Sequence, residues 1–260
     1  MSNIKLIVVD LDGTALVPDQ VPYARFTKEF ASFLDNFVAN GGQWGINSTW
    51  DVQGELDLVK CSPMTSKPAF LMGELGHQLA KIKDDKIEMV EPYTSTVQAE
   101  VRQWGEKYWH QLINIITQKC TLQSMHLYGH FFGCTVGKGQ VNALKEVIAQ
   151  CADLCDSVVI DSTLDEESPR FSMYPSCISK GRVLSEVIKT MGLSPEEVIA
   201  AGDQAPDLAM MDNAISAHPI CPENAAQEVK DYVLSHGGAV GKGVAPVGIM
   251  DAFNQIVAKK

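Results

Sequence analysis

The sequence has no apolar run long enough to cross a membrane. Its first such run, Ile4–Val9, is short and stops at Asp10, and no later stretch approaches the roughly 20 apolar residues a span needs. It is also poor in positive charge. With 21 basic against 32 acidic residues, the formal net charge is −11, which argues against nucleic acid or an anionic membrane surface as a default partner. An anionic ligand therefore needs a local positive pocket. The seven cysteines (61, 120, 134, 151, 155, 177 and 221) lack the C-x-x-C spacing of a zinc site, so reduced, mostly buried thiols are expected. Cys151 and Cys155, one helical turn apart, read as core. No Pro/Gly/Ser linker, internal repeat or low-complexity tract divides the chain. These absences lead to the expectation of a soluble cytoplasmic protein.

What is present is a core. At 260 residues and 45% hydrophobic content, the chain can build one large or two ordinary domains. Its organising stretch is Ile4-Lys5-Leu6-Ile7-Val8-Val9-Asp10-Leu11-Asp12-Gly13-Thr14. The β-branched and aliphatic run reads as a central parallel strand covered on both faces, and open α/β sheets bind ligands at the C-terminal ends of such strands. Asp10 and Asp12, two residues apart in an extended chain, project their carboxylates to the same side. Two such anions call for a hard divalent cation with oxygen ligands, Mg²⁺ above all. The alternative is a solvated turn, since Asp, Gly and Thr are common turn formers.

Phe26, Phe30, Phe33, Leu34, Phe37 and Val38 recur at helical spacing and predict a core helix ended by Gly41-Gly42. Gln43–Ile46 reads as a second strand, followed by Ser48 and Thr49. Either hydroxyl can serve a phosphate or cap the helix beginning near Asp51. Pro68–Val90 predicts an edge strand, a turn at Gly73–Gly76 and a hairpin around Asp84-Asp85. Between Glu91 and Ser172, helices at 97–109 and 141–154 alternate with strand-like runs at 112–116, 124–136 and 157–161. That pattern suggests an α/β insertion of about ninety residues. Arg170–Tyr174 reads as a strand, and Ser179 then caps a helix with Lys180 in its first turn. A cation there opposes the helix dipole, so Lys180 is either solvated or compensated by an anion. Val198–Ala201 leads as a strand into Gly202-Asp203, and Asp207 starts the helix carrying Leu208, Met210 and Met211, where a carboxylate is a common cap. Ile215–Ala217 and Ala239–Val240 predict further short strands.

Asp10-Leu11-Asp12-Gly13-Thr14, Ser48, Lys180-Gly181 and Gly202-Asp203 with Asp207 occur in the order of the haloacid dehalogenase superfamily, which the chain resembles. The insertion between the second and third of these segments is similar to members with a large α/β cap. This resemblance implies a Rossmann-like doubly wound parallel sheet core (1–81 and 173–260) with an inserted α/β cap domain (82–172). It implies a Mg²⁺-dependent phosphatase of small phosphorylated metabolites, of sugar or polyol type, working through an aspartyl-phosphate. Carried over by position, Asp10 is the nucleophile and Asp12 the acid and base. Gly13, Ser48, Thr49 and Lys180, with Asp12, bind phosphate. Asp10, Asp12 through its backbone carbonyl, and Asp203 hold Mg²⁺, with Asp207 supporting the metal shell or Lys180. Pro206, Trp50 and Leu75 depart from the pattern where asparagine, arginine and asparagine are usual. In the cap, His126, His130, Lys138 and Arg170 are candidates for substrate contact. A phosphosugar mutase and a non-catalytic phospho-ligand-binding regulator are the rival readings.

Overall fold

The computed structural model describes residues 3–18, 20 and 23–258. In chain order its elements are β1 (Leu6–Val9), α1 (Lys28–Ala39), β2 (Gln43–Asn47), α2 (Val52–Cys61), β3 (Phe70–Gly73), β4 (Gln78–Lys83), β5 (Lys86–Met89), α3 (Tyr93–Lys119), β6 (Leu122–Tyr128), β7 (Phe131–Val136), α4 (Val141–Leu154), β8 (Val158–Thr163), β9 (Arg170–Pro175), α5 (Lys180–Met191), β10 (Val198–Ala201), β11 (His218–Cys221), α6 (Gln227–Ser235), β12 (Ala239–Val240) and α7 (Pro246–Ala258). They divide into two compact units, one of residues 1–94 and 179–260 and one of residues 95–178.

The first unit is built on an eight-stranded sheet of order β12-β11-β10-β1-β2-β3-β4-β5. The pairs from β12 to β3 are parallel, and β4 and β5 add an antiparallel edge. β1 lies between β10 and β2, and all four of its residues are buried, as its unbroken aliphatic run requires. α1 presents Phe30, Ala31 and Leu34 to the core, and Thr27 caps it by accepting from the Phe30 amide. Phe26 meets both Phe30 and Trp44 edge to face, with ring centroids 5.6 and 6.0 Å apart.

The second unit is a four-stranded antiparallel sheet, β6-β7-β9-β8, with α3 and α4 supplying its helical layer. Phe132, Cys134, Val136, Phe171 and Met173 from the strands pack with Trp104, Leu112, Ile116, Leu144, Val147 and Cys151 from the helices. Cys151 and Cys155 are buried in this core, and every cysteine is free.

The structure moves several expected boundaries. Residues 82–94 fall in the first unit and 173–178 in the second. The Asp84-Asp85 turn extends the main sheet, pairing Ile82 with Ile87, and both side chains pack against the core. At the other border β9 keeps its pairing through Pro175, opposite Val158. Leu112–Ile116, read as strand-like, continues α3: Leu112 and Ile116 lie four residues apart and share one buried face, which outweighs the β-branched composition. The run 124–136 is two strands turning at Gly129-His130. The strand expected at Ile215–Ala217 lies three residues later, at His218–Cys221. The helix expected at Asp207 is a short 3-10 turn, Ala205–Ala209. Among the described residues no helix is long and apolar enough to cross a membrane.

Candidate functional site

Asp10 follows β1, its amide donating to the Ala201 carbonyl of β10 at 2.9 Å. The chain then tightens, with the amides of Thr14, Ala15 and Leu16 all directed at the Leu11 carbonyl. Gly13 sits at φ +78°, and a Cβ there would stand 2.6 Å from Asp203 Oδ2, so both conformation and space require glycine. Thr14 Oγ1 donates to Asp203 Oδ1 at 2.8 Å and thereby orients that carboxylate from the loop itself.

Lys180 opens α5, where Ser179 Oγ accepts from the Arg182 amide at 3.0 Å. The electrostatic oddity of a cation at this helix end resolves into compensation. Lys180 Nζ, only 3% exposed, donates to Asp10 Oδ1 at 2.5 Å and to Asp207 Oδ1 at 2.6 Å. Gly181 permits the approach, since a Cβ there would lie 2.2 Å from the Ala209 carbonyl oxygen. Asn47, at the end of β2, donates through Nδ2 to the Lys180 carbonyl at 2.9 Å. Asp207 uses its other oxygen to accept from the amides of Asp203 and Gln204, at 2.9 and 3.0 Å. It is therefore both a turn cap and a counter-ion. Asp203 Oδ2 accepts from Gln204 Nε2 at 2.8 Å.

Burial dominates the charge balance. It pushes the Asp10 carboxyl up to about 7; Lys180 opposes the rise and Asp207 adds to it. Burial alone would lower the Lys180 ammonium, but Asp10 and Asp207 overrule it and hold it above the usual lysine range. Asp203 is also raised, by burial, against the hydrogen bonds from Gln204 and Thr14. Glu55 of α2 is also fully buried, and neither of its carboxyl oxygens has a well-formed hydrogen bond among the described residues. Burial holds it well above the ordinary glutamate range, while Lys180 pulls the other way.

One oxygen each from Asp10, Asp203 and Asp207 lies within 4.8 Å of the others, a cluster that could hold a metal ion. Mg²⁺ fits this all-oxygen donor set. Asp10 Oδ2 has no protein partner among the described residues, and each Asp203 oxygen accepts a single hydrogen bond, whereas Asp207 is already engaged through both oxygens.

Ser48 is buried just past β2. Its Oγ accepts from the Trp50 amide at 3.1 Å, which leaves the hydroxyl proton free to donate. Thr49 is exposed. Asp12 is exposed as well, and its Oδ2 accepts from the Trp50 indole Nε1 at 2.8 Å. The three departures acquire physical content. Trp50 engages Asp12. Leu75 is buried at φ 59° and ψ 25°, in the left-handed region that asparagine tolerates better. Pro206 lies in the first turn of its 3-10 segment, where a missing amide costs no intrahelical hydrogen bond.

Sequence reasoning assigned no role to Thr14, Asn47, Glu55 or Asn224. Asn224 donates to the Gly13 carbonyl at 2.8 Å and accepts from the Ala245 amide at 2.7 Å. Glu55 did leave a signal: it shares a helical stripe with Val52, Leu56 and Val59, all buried. In the second unit, His126 and Arg170 line a concavity of about 340 Å³ on the sheet, together with Asp161, Thr163 and Ser172. Lys138 instead pairs with Glu167 at 2.7 Å on the surface. His130 is buried.

A mainly parallel sheet with buried acids after β1 and β10, a buried lysine opening α5, and a second α/β unit inserted in the chain make this a doubly wound α/β protein with its charged cluster at the strand ends. The chain belongs to the haloacid dehalogenase-like hydrolases, whose family model matches residues 85–236, more than half its length. A protein of Streptococcus pyogenes serotype M6 carrying a provisional phosphatase name is 23% identical, over 88% of this chain and 90% of its own. Among solved structures, the sucrose-phosphatase of Synechocystis sp. PCC6803 is similar with a TM-score of 0.70 at 12% identity, covering 98% of each chain. The C-terminal domain of C. albicans trehalose-6-phosphate phosphatase reaches 0.60 at 16% identity, over 91% of this chain and 93% of that one.

Proposed function

We propose that the chain is a Mg²⁺-dependent phosphatase of a small phosphorylated metabolite, of sugar or polyol type, acting through an aspartyl-phosphate on Asp10. The observation that carries this reading is the pairing of Asp10 with Lys180. One carboxyl oxygen is fixed by the buried ammonium and the other has no protein partner among the described residues, as a nucleophile requires. The sugar class is supported by the named substrates of the sucrose and trehalose-6-phosphate phosphatases, which share the fold.

In this reading Asp10 Oδ2 attacks phosphorus, the ester P–O bond breaks, and Asp12 gives its proton to the departing oxygen. Asp12 then takes a proton from the water that attacks the aspartyl-phosphate, and the bond to Asp10 breaks to release phosphate. Lys180 neutralises phosphate oxygens, and Ser48 donates its free hydroxyl proton to one of them. Asp10 and Asp203 would hold Mg²⁺, with the Asp12 carbonyl. The ion would supply charge neutralisation for the phosphate and favour the ionised form of Asp10. Asp207, with both oxygens engaged, supports Lys180 and the Asp203 turn. The 95–178 unit is assigned as the inserted cap domain.

Phosphate release should be screened over sugar, polyol and other small phosphates, with Mg²⁺ or excess chelator. Metal-dependent turnover that Asp10→Asn abolishes is expected. Turnover undiminished in chelator, or retained by Asp10→Asn, would overturn the reading.

A further inference from the structure

We propose that Trp50 is the positioning residue for Asp12: its indole N–H holds one carboxyl oxygen and leaves the other to exchange a proton with the leaving group. This rests on the phosphatase reading above. The contact is 2.8 Å from Nε1 to Asp12 Oδ2. Asp12 is exposed and has no other side-chain hydrogen bond among the described residues, so without Trp50 its carboxyl is free to rotate.

Trp50 is itself held on several sides. Its amide donates to Ser48 Oγ, and its carbonyl accepts from the Glu74 amide at 2.8 Å. Its ring packs against the main core, and a Cβ at Gly54 of α2 would lie 3.4 Å from its Cε3. An anchored ring thus presents a donor whose direction is set by the loop after β2. The same residue touches both the proposed phosphate hydroxyl and the proposed acid.

The choice of indole also has a chemical consequence. Indole is a neutral donor that cannot accept a proton, so it orients the carboxylate without adding a positive charge or competing in the transfer. The other tryptophans confirm that this contact differs in kind. Trp44, Trp104 and Trp109 donate to Ser66 Oγ, Ser157 Oγ and the Gly129 carbonyl, so Trp50 alone has a charged acceptor.

Trp50→Phe keeps an aromatic ring and removes the donor. Turnover of an alkyl phosphate should fall about 10- to 100-fold, the range for losing one hydrogen bond to a charged group. The burst of an activated aryl phosphate should change less than about threefold, because its leaving group needs little protonation. In an Asp12→Asn background the same substitution should cost nothing further. Equal losses on both substrates, or additivity with Asp12→Asn, would reduce Trp50 to a support of its loop.

A second measurement is independent of activity. In ¹⁵N-labelled protein, Trp50→Phe identifies the Trp50 indole signal. Asp12→Ala should shift that signal upfield and leave the other three in place. An unmoved signal would show that the contact is absent in solution, even if the phosphatase reading stood. Conversely, a shifted signal in a protein whose turnover does not depend on Asp10 would retain the contact and reject the reaction.

Discussion

Replacing Lys180 by Met tests the charge balance on which the site depends. In the native protein a single ammonium lies between Asp10 and Asp207, both of them buried. Methionine fills much of the same volume and removes the charge, leaving two buried carboxylates uncompensated. Breaking a buried ion pair on one side costs about 3–5 kcal/mol. The loss must depend on pH. Asp10 is already raised from 3.8 to about 7, so the folded protein binds more protons than the unfolded chain across that window, and its stability falls as pH rises through it. Without Lys180, which holds Asp10 down, the window extends upward. From pH 7 to 9 the Asp10 contribution is nearly exhausted in the wild type, whereas Lys180→Met should keep losing about 1.4 kcal/mol per pH unit for each extra proton held by the folded state. Urea unfolding of both proteins at pH 5, 7, 8 and 9, in chelator, gives the comparison. Parallel curves above pH 7, or a variant more stable than wild type throughout, would refute the reasoning.

Glu55→Leu removes a buried carboxyl with no well-formed hydrogen bond among the described residues and should stabilise the protein by about 1–3 kcal/mol at pH 8. The neutral acid is favoured by folding, so wild type loses stability as pH rises above 4.5 and the advantage of Leu should shrink at pH 5; urea midpoints at the two pH values decide this. Asp203→Ala should abolish the response of turnover to added Mg²⁺, measured as a titration of phosphate release, because it removes a carboxylate with capacity left for a cation. Asp12→Asn should lower turnover of an alkyl phosphate by about 10²–10⁴-fold. With an activated aryl phosphate it should show a burst followed by slow turnover, which rapid-mixing kinetics would detect. An alkyl phosphate turned over at the wild-type rate would withdraw the acid–base role.

Much of the fold was legible because its signals are short-range. The aliphatic run before Asp10, the phenylalanine stripe of α1, and the Ser179 cap of α5 each act within a few residues, and each appears where its pattern requires. The misreadings arose where two local rules conflict. Leu112–Ile116 has strand-like composition and helical spacing, and the long amphipathic face of α3 decides the matter. β11 contains Pro219, which discourages a strand assignment, yet it pairs between β10 and β12. The cap border was misjudged because a hairpin carries no mark of the sheet it joins. The pairing of β4 with β3, and the packing of Ile82, Ile87 and Met89 on the main core, attach it to the first unit.

The same distinction governs the site. The proposed acids and lysine were candidates from sequence because they fall in short motifs after β1 and β10 and at the start of α5, in the order of the family that the chain resembles. Their helpers could not, because a hydrogen bond between residues 38 positions apart, as between Asp12 and Trp50, leaves no local pattern. The substitution pattern nonetheless contained the clue. Trp50 stands out as a departure in a position where a donor is usual, and the structure shows a donor still present, without the charge. Glu55 is the converse case: on the 52, 55, 56, 59 stripe it breaks the apolar rule of a core helix, and an acid that stays on a buried face has to be neutral or paired. Its neighbours in charge include Lys180 and Asp10, so a carboxyl that gains little from hydrogen bonding is placed to influence the two groups the proposed chemistry depends on most.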